Sequence, residues 1–238
     1  MGTSGFAYPA WAPRFYPPRL ADGDRLAYYA SRLGSVELNN TFYQRPTAER
    51  IEAWVTAVPA GFRFVVKAQR GSSMRALGID AAQSVTWLTE RLDGFGERLG
   101  AVLYRVPENV HRRTDGSSDE ALARLFAAWP RAMPLVMEFQ HASWHVDETF
   151  RALRAAGAIL CTTELPEDTT PPDIRVTGSG LYLRLRRHDY GASEIAAWAA
   201  RLQPFLEAHH PVMAVFRHDE TGRATELAAA LSAAVARG

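Results

Sequence analysis

The chain contains one cysteine in 238 residues, Cys161, so no disulfide can form within it. That residue lies in the apolar run AILCTT (158–163), where a thiol packs as a small hydrophobe, and a buried, inert side chain is expected. No apolar stretch is long enough to span a bilayer, and the opening MGTSGFAYPAW carries no charged-then-apolar leader. A cytoplasmic protein without a membrane partner is the expectation. Also missing are a glycine-rich phosphate turn, a GxSxG elbow, a CxxC pair and an HExxH spacing, each of which would announce a specific chemistry. Charge of one sign is not in excess either: the net charge is +1, which gives no overall pull on nucleic acid or anionic lipid. Only a local cluster of charge could supply one.

What is present is the composition of a folded domain, with 47% hydrophobic and 22% charged residues, and a length common for one α/β barrel domain spanning 1–238. Eight short runs with strand character recur at 3–6, 35–40, 62–68, 101–106, 135–139, 158–163, 181–186 and 212–218. Helical spacing marks 24–33, 47–58, 83–92, 119–129, 147–156, 193–209 and 220–236 between them. Ser118 or Asp119, Asp147, and Ser193 with Glu194 have the side chains that begin helices. The linker ELPEDTTPPDIRVTGSG (164–180) is too rich in Pro, Thr and Gly for a helix, so the sixth crossover is expected to be an irregular loop. Eight strands alternating with helices predict an α/β fold of the TIM-type (β/α)8 barrel class. The competing open doubly wound sheet would normally carry a glycine-rich turn after its first strand, and none is found.

Alternation along each strand sorts side chains into one set facing the helices and one facing the lumen. On the inward parity fall Glu37, Asn39 and Thr41 of the second strand, and Arg63, Val65 and Lys67 of the third. Leu103 and Arg105 share that parity on the fourth strand, and Val136 and Glu138 on the fifth. Tyr182, Arg184 and Arg186 continue the pattern on the seventh, and Met213, Val215 and Arg217 on the eighth. Several strands therefore end in an inward charge at the carboxyl-terminal mouth, where barrel active sites are built. Buried ion pairing is the structural alternative, with Glu37 or Glu138 neutralising Arg184 or Lys67. Arg63, at a strand start, belongs to the barrel floor and to stability. Two carboxylates against Lys67, Arg105, Arg184, Arg217 and Arg186 leave a cationic surplus suited to a phosphate or carboxylate ligand. Crowded cations would also depress the Lys67 pKa and make it a possible base.

No cofactor is predicted. A divalent metal is a weaker option, with Glu37, Glu138, His141, His188, Asp189, His218 and Asp219 as conceivable ligands but no tight ligand spacing among them. Tyr8, Trp11, Phe15 and Tyr16 crowd the loop after the first strand, and Phe42 and Tyr43 follow the second. They suit either stacking on a ligand or covering the barrel top.

The stretches GTSGFAYPAW, FYPPRL, YYASRLGSVELNNTFYQRP, FRFVVKA, LGAVLYRVP and MEFQHASW, in that order, resemble the YecE-like family, domain of unknown function 72. The combination VExNxTFY with EFxHxSW carries the resemblance, which runs from Gly2 to Trp144 and more loosely to the C-terminus. It implies a TIM-like barrel with a polar pocket at the carboxyl ends of its strands, in a family compared with sugar isomerases but without an established reaction. The motif positions are Glu37, Asn39, Thr41, Tyr43, Lys67, Glu138, His141 and Trp144. The chain departs from the family pattern in four places. QRGSSMRAL follows Lys67 where a Thr-His pair is usual, and Gln140 stands in place of arginine. RLRRHDY, with His188, replaces a His-Gly pair, and FRHDETGRA, with Arg217, replaces Phe-Asn-Asn. These departures make the expected pocket more cationic.

The leading expectation is an enzyme acting on a small anionic metabolite such as a sugar phosphate. Glu138, Lys67, Glu37 and His141 are its candidate catalytic residues. Asn39, Thr41, Tyr43, Arg105, Trp144, Arg184, Arg186 and Arg217 are the candidate substrate-binding residues. A nucleic-acid-binding or processing protein and a non-catalytic metabolite sensor are the rivals.

Overall fold

Closure of the sheet depends on residue 2. In the computed structural model, which describes residues 1–237, the first strand is only three residues long, Gly2–Ser4 (β1). It pairs with Ser35–Leu38 (β2) on one side and Val212–Phe216 (β8) on the other. A Cβ at position 2 would sit 1.9 Å from the Ser35 carbonyl oxygen, so any side chain there would push β1 off β2. Glycine alone permits this approach. Arg63–Lys67 (β3), Leu99–Val106 (β4), Leu135–Phe139 (β5), Ile159–Glu164 (β6) and Leu181–Leu185 (β7) complete a closed barrel in chain order, every pairing parallel. This is the TIM-type barrel that the strand and helix alternation predicts.

The helices are Arg25–Ala30 (α1), Ala48–Thr56 (α2), Arg70–Ala76 (α3), Ala81–Thr89 (α4), Ser117–Ala128 (α5), Asp147–Ala156 (α6), Ala192–Glu207 (α7) and Arg223–Val235 (α8). Among the described residues none is long and apolar enough to cross a membrane. The short α3 has no counterpart in the sequence expectation, and two helix starts differ from it. Ser118 and Asp119 do not cap α5, which starts behind Gly116: the Ser118 hydroxyl accepts from Arg113 N and Asp119 pairs with Arg112. Ahead of α7, Glu194 accepts from Gly191 N at 2.7 Å, which starts the helix one residue before Ser193. The sixth crossover has no helix, as its Pro and Thr content predicts, and Thr177 ties it to the sheet by donating to Ala158 O and accepting from Leu160 N, both at 2.8 Å.

Strand parity divides the apolar residues into two cores. The outer one lies between sheet and helices and includes Val36, Leu38, Phe64, Val66, Tyr104, Met137, Leu183 and Phe216. The inner one fills the lower lumen with Val65, Ala101, Leu103, Val136, Ile159, Cys161, Tyr182 and Val215. Each such aliphatic side chain contributes about 1.5–3 kcal/mol on burial. Cys161 is one of these fillers, and burial raises its thiol pKa well above the ordinary value. At the floor Arg63 donates to the carbonyls of Ala60 and Phe62.

One seam in the wall stops well before its strands do. β4 pairs with β5 up to Val106 and Phe139, and β6 with β7 up to Glu164 and Leu185. β5 and β6 pair only at Val136–Ile159 and Met137–Leu160. Beyond those two positions the strands diverge, and the barrel wall opens sideways at its mouth.

Candidate functional site at the mouth of the barrel

Above the inner apolar core the next inward-facing positions are Ser4, Glu37, Lys67, Arg105, Glu138, Thr163 and Arg184, each at or near the carboxyl end of its strand. Register places Ser4 beside Glu37, Arg105 beside Glu138 and Thr163 beside Arg184. The polar layer is thus a product of strand alternation, with no loop needed to build it.

Arg184 organises the layer. Its Nη1 donates to Glu138 Oε1 and Oε2 at 2.8 and 2.9 Å, and its Nη2 donates to Glu37 Oε1 at 2.9 Å. Glu37 also accepts from Ser4 Oγ at 2.9 Å and from Tyr182 OH at 2.7 Å, while Thr163 Oγ1 donates to Glu138 at 3.2 Å. Arg105 Nε lies 3.4 Å from Glu138 Oε2, close enough for charge attraction, but it makes no hydrogen bond. All three members of the Glu37–Arg184–Glu138 group are at least 94% removed from solvent at the side chain. A buried arginine fork is the geometry that two carboxylates require.

The charges set one another's proton affinities. Burial works to raise the Glu37 pKa, but Arg184 and then Lys67 outweigh it and hold the carboxyl below its usual range. Lys67 is lowered to about 8, mainly by burial, with Arg184 and Arg105 adding to the effect and the two glutamates opposing it. Arg186 is lowered by burial and by Arg184. His218 is lowered by burial and by Arg217.

A cavity of about 350 Å³ opens over this layer, bounded by Lys67, Arg105, Arg184, Arg186, Arg217 and His218, with Ser4, Tyr8, Asn39 and Tyr43 at its edge. A second cavity of about 550 Å³ lies at the β5–β6 seam and includes Glu108, Glu138, Glu167, Asp168 and Asp173 with Arg175. A larger hollow of about 880 Å³ between α5 and α6 contains none of the charged strand-end residues and has no part in the site.

Of the residues singled out in the sequence, Asn39, Tyr43, Lys67, Arg105, Arg184, Arg186 and Arg217 surround the first cavity, and Glu37 sits beneath it, bonded to Arg184. Asn39 Nδ2 donates to Ser4 Oγ at 2.7 Å, and Tyr43 is 80% exposed at the rim. Three others are placed elsewhere. Thr41 is buried and donates to the carbonyls of Leu38 and Lys67, fixing the backbone under the site. Trp144 is buried against Phe139 and donates from Nε1 to Val110 O. His141 bonds Ser143 Oγ through Nδ1 and stacks on His111 beside a separate open hollow with Glu108 and Asn109. The residues after β5 turn in a short 3-10 helix, so strand alternation no longer applies to them.

The conceivable metal ligands are likewise dispersed. Glu37 and Glu138 enclose Arg184, Asp189 pairs with Arg223, and Asp219 accepts from the amides of Thr221, Arg223 and Ala224. Among the described residues no group of three or more His, Cys, Asp and Glu side chains is gathered to hold a metal ion. Ser4 and Thr163, both on inward parity, are missed by the sequence reasoning. Tyr182 is placed on that parity but given no role, and Tyr8, named only as an aromatic that could stack or cover, stacks on His218 with ring centroids 4.9 Å apart. Phe42, named in the same way, has its ring 4.3 Å from Lys67 Nζ. Parity is the signal that could have found Ser4 and Thr163.

The family model described as protein of unknown function DUF72 matches residues 1–238. UPF0759 protein YunF of Bacillus subtilis (strain 168) is 27% identical over 178 residues, 68% of this chain and 61% of that protein, so the match spans about three fifths of the relative's length. A DUF72 family protein from Thermotoga maritima MSB8 has a crystal structure that superposes with a TM-score of 0.77 at 25% identity, covering 98% of this chain and 96% of that one. One from Enterococcus faecalis V583 superposes with a TM-score of 0.77 at 21% identity, covering 99% and 94%.

Proposed function

The chain belongs to the DUF72 family, whose description names no reaction, and from the chemistry of the mouth we propose that the protein is an enzyme acting on a small phosphorylated or carboxylated metabolite by proton transfer. One observation carries this reading. Both glutamates are held by Arg184, so Lys67, Arg186 and Arg217 face the 350 Å³ cavity with no carboxylate within 4.0 Å among the described residues. An anion would supply the missing partner, and arginine's planar fork suits phosphate or carboxylate.

In this reading Arg186 and Arg217 hold the anion, while Asn39 and Tyr8 orient polar groups of the ligand at the edge of the cavity. Lys67, with its pKa lowered to about 8, is the proton-transfer group, since catalysis is best served by a pKa near the working pH. Glu138 borders the acidic cleft and is the second acid/base candidate. Arg184 keeps the two carboxylates in place.

The nucleic-acid alternative fits less well. The cations lie inside a small cavity, and the adjoining cleft carries Glu108, Glu167, Asp168 and Asp173, which would repel a phosphate backbone. A sensor would bind the same ligand and leave it unchanged.

Thermal unfolding against inorganic phosphate, sugar phosphates, small carboxylates and a short RNA tests the binding. A ligand at 100 times its dissociation constant adds about 2.7 kcal/mol, a shift of roughly 5–10 °C for a chain of this size. Stabilisation by a phosphorylated small molecule, cut by about half in Arg217→Met at the same ligand concentration, is the expected result. NMR of that ligand in deuterated water then separates enzyme from sensor by whether a carbon-bound proton exchanges. Stabilisation by RNA alone would overturn the reading.

A further inference from the structure

Of the 27 basic residues in the chain, only one is a lysine, and it is Lys67. Where the molecule needs positive charge it uses arginine. The surface pairs include Arg14–Glu226, Arg112–Asp119 and Arg151–Glu148, and within the mouth the other cations are Arg105, Arg184, Arg186 and Arg217. Arginine cannot give up its proton in a protein, whereas lysine's amine can, and the free amine is a nucleophile. At position 67 the chain therefore carries a capacity that its other basic side chains lack.

That capacity is not absorbed by the fold. Lys67 is 8% exposed, yet among the described residues Nζ makes no hydrogen bond and has no carboxylate within 4.0 Å. The amine lies over the Phe42 ring, 4.3 Å from its centroid, and faces the cavity beside Arg105 and Arg184. Its backbone is fixed from below, where Thr41 Oγ1 donates to Lys67 O at 2.8 Å. An ion-pairing lysine would be turned toward Glu37; this one is turned toward the cavity.

We propose that Lys67 is a nucleophile that forms an imine with the substrate, which is an aldehyde or ketone bearing a phosphate or carboxylate. This rests on the anion-binding reading above and names the group that must accompany the anion. The neutral amine attacks the carbonyl carbon, a C–N bond forms, and the carbonyl π electrons move to oxygen. Both amine protons leave with that oxygen as water, and no oxidant or reductant is needed. Protonated, the imine draws electrons from the neighbouring carbon, and the proton transfer at that carbon then passes from Lys67 to Glu138, the second acid/base candidate, because a nitrogen held in an imine is no longer a free base. Desolvation and an adjacent cation are the circumstances that free a lysine amine for such chemistry, and Lys67 has both.

The absence of any other lysine makes the test clean, because the N-terminus is the one other alkyl amine in the chain. The protein is incubated with pyridoxal 5′-phosphate, an aldehyde carrying a phosphate, then reduced with borohydride and mapped by mass spectrometry. A phosphopyridoxyl adduct on Lys67 is expected, suppressed by inorganic phosphate and absent in Lys67→Met and Lys67→Arg. The rate of its formation should rise with pH through about 8, not through the ordinary lysine value of 10.5. The arginine variant keeps charge and bulk, and its unaltered unfolding temperature would show that loss of labelling is not loss of fold. Stabilisation by inorganic phosphate without any adduct on Lys67 would overturn the imine and leave the anion site standing. Equal labelling by pyridoxal, unaffected by phosphate, would keep the reactive amine and overturn the anionic substrate class. Labelling confined to the N-terminus would sink the proposal outright.

Discussion

The two cavities at the mouth share one wall and differ in sign. On the side formed by β7, β8, β1, β2 and β3 the strands stay paired close to their ends, so inward residues have only the lumen to face, and cations collect there. On the side of β5 and β6 the pairing stops after Met137 and Leu160, the wall opens outward, and the cleft gathers acidic loop residues. Glu138 is the boundary: its carboxylate binds Arg184 on one side and borders the acidic cleft on the other. A net charge of +1 describes neither half. Charge bears on ligand choice through where strand pairing confines it, and the total conceals that arrangement.

The strongest way to break the comparison is to remove its divider. Arg184→Met leaves Glu37 and Glu138 buried without the cation that hydrogen-bonds both and should cost about 3–5 kcal/mol, read as a loss of unfolding free energy in urea. Changing both glutamates to glutamine in the same background should recover part of that loss, because no uncompensated charge then remains.

Next in size is the pH dependence contributed by Lys67. Its amine holds a proton less tightly in the folded chain than in the unfolded one, about 8 against 10.5, so the penalty it places on folding is complete below about pH 8. It fades as the pH approaches 10.5. The parent's stability should therefore climb across this window relative to Lys67→Met. The variant should be more stable at pH 7 by at most on the order of 3 kcal/mol. Denaturation of both proteins at a series of pH values checks this.

Arg217→Met sharpens the contrast from the ligand's side. Removing a charge-assisted partner of a bound anion should weaken inorganic phosphate by roughly tenfold, measured by calorimetry. The smallest effect belongs to the acidic cleft. Glu108→Gln with Glu167→Gln should change phosphate affinity by less than about twofold and stability by no more than about 0.5 kcal/mol.

Strand alternation makes much of this site legible in the sequence alone. It assigns Glu37, Lys67, Arg105, Glu138, Arg184 and Arg217 to the inward face because a period of two survives as long as the strand does. It fails where the strand ends: His141 and Trp144 lie in a 3-10 turn, and Thr41 lies in another after β2. The helix α3 is not evident from its residues, because GSS suggests a turn and the first amides are met by Gln69, an unusual cap. The β5–β6 divergence and the grip of Arg184 on both glutamates are relations between distant segments, and no local pattern encodes them. The single lysine is legible in the composition itself.

The grip of Arg184 also says something about the order in which the barrel can become dry. The arginine is 147 residues from one of its partners and 46 from the other, and it arrives on the seventh strand. A chain that stops before β7 holds Glu37 and Glu138 with only Lys67 and Arg105 near them and no cation hydrogen-bonded to either, so drying its lumen would bury two poorly compensated negative charges. The upper half of the barrel must therefore stay wet until nearly the whole chain is available, and the completing strand brings the cation that allows water to leave.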